Sequence, residues 1–270
     1  RQQSDSIFVP DSIYVTGKPD ITNVNLTGLN YKAYGSGNDL SQWDLYWSYI
    51  VGLNRNFITE HQHTMSERFF DSVVFMNYVR IFSNGYFPVN ASDPNFTPDF
   101  AEPTLVDAAK YVSLKYFKAN PASQSIAFSV MDGPFTIGPA TKLFASTYND
   151  PRTGYSNANA IFLNNLAARL RADSLGNKTI VFLSYSGVNY PPLINLDSMI
   201  LPVVVYHIGN MPDSSLNIKT ANRVAWGNVT TRFGEHDWAQ GMGYLYPRIY
   251  TSNVQRFCKL YSPIGLDFYD

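Results

Sequence analysis

Ser125-Ile-Ala-Phe-Ser-Val-Met-Asp132 is an apolar run that stops on a carboxylate, and the pattern recurs along the chain. Asn56-Phe-Ile-Thr-Glu-His-Gln-His63, Thr179-Ile-Val-Phe-Leu-Ser-Tyr-Ser186, Leu201-Pro-Val-Val-Val-Tyr-His207, Thr231-Arg-Phe-Gly-Glu-His-Asp237 and Gly265-Leu-Asp-Phe-Tyr-Asp270 also pass from apolar to polar or ionisable residues. Parallel strands buried on both faces have this composition. A barrel that gathers their C-terminal ends on one face puts its reacting groups there.

Helical stripes separate the runs. Met65 to Val79 has apolar residues at 69, 70, 73, 74, 76 and 79, the spacing of one helix face. Pro103 opens a second stripe that Asn120-Pro121 closes, and Asn157 to Leu175 is a third, with Gly176-Asn177 as its stop. Weaker signals add a strand at 22–29, a helix at 40–51, a strand near Tyr86-Phe87-Pro88, and helices at 214–226 and 249–260. Gly133 to Gly154 has the glycine and proline content of a loop. Strands and helices so counted alternate eight times, which predicts an α/β fold, a (β/α)8 TIM-type barrel over residues 21–270 that lacks its final helix. Residues 1–20 are expected to be an extended lead-in or the remnant of a preceding domain.

Composition narrows the partners. A formal net charge of −1, with 15% charged residues, supplies no field for nucleic acid. No apolar run reaches the roughly 20 residues of a membrane span. The lone Cys258 leaves no internal disulfide and no multi-thiolate metal site, and no nucleotide-binding glycine motif or nucleophile elbow is present. No cofactor is expected. Aromatic residues reach 15%; such rings stack on sugar faces as readily as they fill cores.

Asp132 is the first candidate for chemistry, because Gly133-Pro134 turns the chain and leaves its carboxylate at a barrel mouth. It either caps that turn or serves as one of the two carboxyl groups, roughly 5–10 Å apart, that glycosidic hydrolysis commonly uses. Glu235 and Asp237 are the candidate second carboxylates, or else members of an exposed charge cluster with His236. His61 and His63 fall at alternate positions and so on one face of a strand. Hydrogen bonding to substrate or a structural role is the expectation for them, with no metal. His207, Tyr185, Trp238 and Asp270 complete the set of substrate-binding candidates at run ends.

Several of these segments resemble a family of mostly secreted, functionally uncharacterised bacterial proteins with a glycoside-hydrolase-like barrel, distantly similar to α-glucuronidases and hexosaminidases. The resemblance rests on Phe57 to His63, Tyr86-Phe87-Pro88, Glu102 to Ala109, Ser125 to Asp132, Tyr155-Ser156-Asn157 to Ala168, Ser184-Tyr185 with Pro191-Pro192, and Gly265 to Asp270. It departs from the family where a cysteine cluster would follow Asp132, and where Asp270 stands in place of glutamate. The resemblance implies carbohydrate-active chemistry, an extracellular or periplasmic location and further domains around this one. The expected function is hydrolysis or processing of a glycan or polysaccharide by carboxylate acid/base chemistry. The alternative is a catalytically silent carbohydrate-binding or scaffold barrel within a larger assembly.

Overall fold

A computed structural model of the chain describes residues 63–82, 85–206, 224–237 and 266–269, of which 206, 235–237 and 266–269 are described by backbone alone. All belong to one compact unit, Glu60–Asp270. The elements predicted at 1–62 and 249–260, and most of the one at 214–226, lie outside the described residues.

The apolar runs form one parallel sheet of five strands, β1 (Ser125–Ala127), β2 (Thr179–Ser184), β3 (Ile200–Tyr206), β4 (Phe233–Asp237) and β5 (Leu266–Tyr269). The strands lie side by side in chain order. Ile126 pairs with Ile180, Ile180 with Ile200, and Val204 with Glu235. Alternating residues of β2, Ile180 and Phe182 on one face and Val181 and Leu183 on the other, are all buried, as a parallel sheet requires.

β1 is shorter than its sequence predicts. The ladder stops at Ala127; Phe128 still donates to the Val181 carbonyl (2.8 Å), but the Leu183 amide is taken by the Ser129 hydroxyl (3.0 Å). A side chain thus substitutes for the backbone ladder, and the chain from there to Asp132 is irregular. On its other side this segment meets Thr64 and Met65, whose amides both donate to the Ser129 carbonyl (3.1 and 3.0 Å). The weak strand expected near Tyr86-Phe87-Pro88 is absent. That stretch is a loop organised by the buried Asp93, which accepts from Tyr86 Oη (2.7 Å), Val89 N (2.9 Å) and Asn95 N (3.0 Å).

The helices lying wholly within the described residues are α1 (Met65–Phe69), α2 (Ser72–Asn77), α3 (Leu105–Ala119), α4 (Pro139–Ala145) and α5 (Pro151–Ala172). The single stripe predicted over Met65 to Val79 is broken because Asp71 caps a new helix, accepting from Val73 N (2.8 Å) and Val74 N (3.2 Å). α4 lies inside the expected loop. Its first turn is capped by Asp99, which accepts from Ala140 N (2.8 Å), Thr141 N (2.7 Å) and Thr141 Oγ1 (2.6 Å). Gly138 permits that approach, since a Cβ there would lie 2.4 Å from Asp99 Cγ.

α5 begins with Asp150 accepting from Arg152 N (3.0 Å) and Pro151 in its first turn. Its stop is Ser174, at φ 64°, rather than Gly176. Leu175 N bonds the Leu170 carbonyl (2.9 Å) and Ser174 N the Arg171 carbonyl (3.1 Å). The helix buries Phe162, Leu163, Leu166 and Leu170, and Phe162 meets Phe128 edge-on at 6.1 Å.

Strict alternation fails between β2 and β3, where the link holds only a 3-10 turn, Ser186–Val188. A polar stripe on α5 holds that link instead. Asn157 Oδ1 accepts from Leu193 N (2.7 Å), Asn164 bonds Asn195 O (2.9 Å) and Asp197 N (2.8 Å), and Arg171 bonds Asp197 (2.6 Å). Residues 157, 164 and 171 are seven apart, hence stacked on one side of the helix. Among the described residues no helix is long and apolar enough to cross a membrane.

Candidate functional site

Three of the candidates named from the sequence come together where β1 and β2 end. Asp132 lies five residues past β1 and is exposed; Tyr185 follows the last residue of β2 and is half-buried. The Tyr185 hydroxyl donates to Asp132 Oδ1 at 2.7 Å. His63 packs its ring edge-on against Tyr185, 5.5 Å between centroids and 61° between planes.

The partners of each group set what it can do. His63 Nδ1 lies 2.5 Å from the Val130 carbonyl. A carbonyl only accepts, so Nδ1 carries the proton, and in the neutral ring Nε2 keeps its lone pair. The Tyr185 phenol is held above its ordinary range, first by donating to Asp132, then by burial and by the carboxylate charge. It stays a neutral donor across the physiological range.

The framework beneath is held by contacts that no local sequence signal carries. Thr64, buried beside His63, accepts from Ser129 N (3.0 Å) and donates to Ala127 O (3.0 Å) through one hydroxyl. Arg68 Nε adds a bond to the same Ala127 carbonyl (3.2 Å), and its guanidinium lies 4.5 Å over the Tyr116 ring. No local pattern marks Thr64 and Ser129, because their contact spans 65 residues. Phe135, from the loop after β1, packs against Phe100 and Tyr155. It sits so close to Gly187 that a Cβ there would lie 2.3 Å from the ring. The loops after β1 and β2 are therefore in direct contact.

Comparison with protein-family models, with curated proteins and with solved structures returns no match for this chain. What the site can do is read from its own chemistry.

Glu235 and Asp237 lie on β4, opposite Val204 and Tyr206 of β3; their positions are known at backbone level. His61, His207, Trp238 and Asp270 lie outside the described residues. Among the described residues no three His, Cys, Asp or Glu side chains group so as to hold a metal ion. A cleft of about 220 Å³ between α1 and α3, lined by Glu67, Arg68, Asp71, Lys115 and Tyr116 among others, contains none of the site candidates. Lys115 and Asp71 already pair there at 2.5 Å.

Proposed function

We propose that the chain is a glycoside-hydrolase-like α/β protein whose parallel sheet closes into a barrel, and that it cleaves or processes a glycan or polysaccharide, with Asp132 and either Glu235 or Asp237 as its carboxyl pair. The observation that carries this is the junction of Asp132 and Tyr185 just past the C-terminal ends of two adjacent parallel strands, with His63 packed against Tyr185, because barrel enzymes place their reacting groups at such strand ends.

Closure of the sheet is a requirement of this function. Asp132 and the β4 carboxylates stand three strand steps apart, roughly 14 Å along a flat sheet at about 4.8 Å per step. Paired carboxyl groups need roughly 5–10 Å, which curvature across a barrel mouth supplies. One observation supports it: strand order never reverses among the described strands, as it does in doubly wound sheets. His61, His63, Tyr185, His207, Trp238 and Asp270 then bind substrate hydroxyls or stack on sugar faces around the mouth. The resembled bacterial family favours an extracellular or periplasmic setting with further domains.

The test is release of reducing ends from a panel of polysaccharides. Asp132→Asn lowers turnover by about 10²–10⁴-fold while glycan binding and melting temperature stay near wild type. Unchanged turnover in the variant contradicts the assignment. Glycan binding by wild type without release from any bound glycan assigns the chain to the silent binding barrels instead.

A further inference from the structure

We propose that Gly187 is a positioning residue: its bare backbone seats Phe135, and through Phe135 it holds the Asp132 carboxyl group against the Tyr185 hydroxyl. The use of that seat in turnover rests on the hydrolase reading above; the geometry stands without it. Asp132 is exposed and lies outside the strands. Its bond to Tyr185 (2.7 Å) therefore depends on what fixes the chain on either side of it.

Two close approaches do so. A Cβ on Gly133, the next residue, would lie 2.0 Å from the Pro94 carbonyl oxygen, so the chain is pressed against the loop that Asp93 organises through Val89 N and Asn95 N. Three residues after Asp132, Phe135 meets Gly187, where a Cβ would lie 2.3 Å from Cδ1 and Cε1 and 2.6 Å from Cγ. Only glycine allows so near an approach. Phe135 has little room to retreat, since Phe100 stacks on it (6.2 Å, 21°) and Tyr155 tilts against it (5.8 Å, 46°). A side chain at 187 thus displaces the ring and, with it, the short segment back to Asp132.

The β2 side of the contact is equally constrained. Ser186, between Tyr185 and Gly187, is held at φ 51°, a left-handed conformation that persists in a residue with a Cβ only where the surroundings impose it. Gly187 is itself outside the left-handed range, so its lack of a side chain answers to the Phe135 contact and not to the turn. Val188, buried, closes that turn by donating its amide to the Tyr185 carbonyl (3.1 Å). The Tyr185 backbone and the Phe135 seat therefore belong to one short turn. The ring contact and the Asp132 hydrogen bond are two rungs between the same two loops.

Tyr185 reports whether the second rung survives loss of the first. Its phenol is held up first of all by the bond to Asp132, so a variant that parts the pair lowers its titration. In protein labelled with ¹³C at tyrosine Cζ, with the Tyr185 resonance assigned by Tyr185→Phe, Asp132→Ala gives the full fall. Gly187→Ala is expected to reproduce most of it. In a Phe135→Ala background, where the added methyl has room, Gly187→Ala is expected to cause no further fall, the non-additivity of residues acting as a unit. A Tyr185 titration left at its wild-type position by Gly187→Ala overturns the proposal, as does an undiminished extra fall in the Phe135→Ala background. Should Gly187→Ala not fold, Phe135→Ala alone carries the test, and a titration it leaves unmoved overturns the proposal equally. On a glycan that wild type cleaves, Gly187→Ala is expected to lower kcat by up to about 10²-fold with KM near wild type. A fallen titration with unchanged kcat, or with no cleavage by wild type, leaves the seat standing and sinks the hydrolase role of Asp132 instead.

Discussion

Replacing Thr64 with valine keeps the shape of the side chain and removes its hydroxyl, which is the hinge between the His63 segment and the end of β1. Two hydrogen bonds disappear, one accepted from Ser129 N and one donated to Ala127 O. Their consequences are unequal. Ala127 O keeps the Arg68 Nε bond at 3.2 Å, so its loss is partial. The Ser129 amide belongs to a fully buried residue, and taking away the hydroxyl that accepts from it costs about 1–3 kcal/mol. Thr64→Val should therefore destabilise by roughly 2 kcal/mol, a fall of about 4–8 °C in melting temperature for a domain of this size. Thr64→Ser keeps both bonds and loses one buried methyl, about 0.8 kcal/mol. Urea and thermal unfolding of the two variants supply the comparison, with valine expected to be the worse. If packing governed the site, the isosteric valine would be the milder change; a valine variant as stable as the serine variant refutes the hydrogen-bond account.

Asp99→Ala removes the cap of α4 and leaves the Thr141 amide and hydroxyl without their carboxylate partner; a loss of about 1–2 kcal/mol is expected by denaturant titration, and an unchanged midpoint contradicts it. Asn164→Ala should loosen the link between β2 and β3, read as faster hydrogen exchange at Asp197 and Met199 while the β2 amides keep their protection; equal acceleration at both would mean global destabilisation. For Asp71, burial acts to raise the carboxyl, but Lys115 and the amides of Val73 and Val74 outweigh it and the net shift is downward. A carboxyl lowered in the folded state contributes stability that is present above its unfolded value of about 3.9 and lost as pH falls through the folded one. Asp71→Asn should thus flatten the acid limb of the stability curve below about pH 4, and an acid limb identical to wild type would show that Asp71 plays no part in it.

The central strands were legible because their residues are apolar and β-branched on both faces, as in Ile180-Val-Phe-Leu183 and Val203-Val-Val205. The end of β1 was not, since the Ser129 hydroxyl takes the place of a ladder carbonyl and Thr64 reaches it from 65 residues away. The same distance effect hid α4, whose cap is Asp99 rather than any residue of its own loop. The break at Asp71 shows a capping side chain overriding an apolar stripe that continues through it. Asn157, Asn164 and Arg171 look like an ordinary polar helix side in the sequence; only the fold shows them gripping a crossover that lacks its own helix. Asp132 and Tyr185 stood out because each follows an apolar run, whereas their hydrogen bond depends on a register between strands that no local pattern encodes.

The most direct measurement is the separation between the carboxyl groups of Asp132 and of Glu235 and Asp237 in a crystal structure of the chain. A closed barrel working as a two-carboxylate hydrolase places one of those pairs within roughly 5–10 Å across an open mouth. Both pairs at roughly 14 Å or more, the spacing of three flat strand steps, would contradict it.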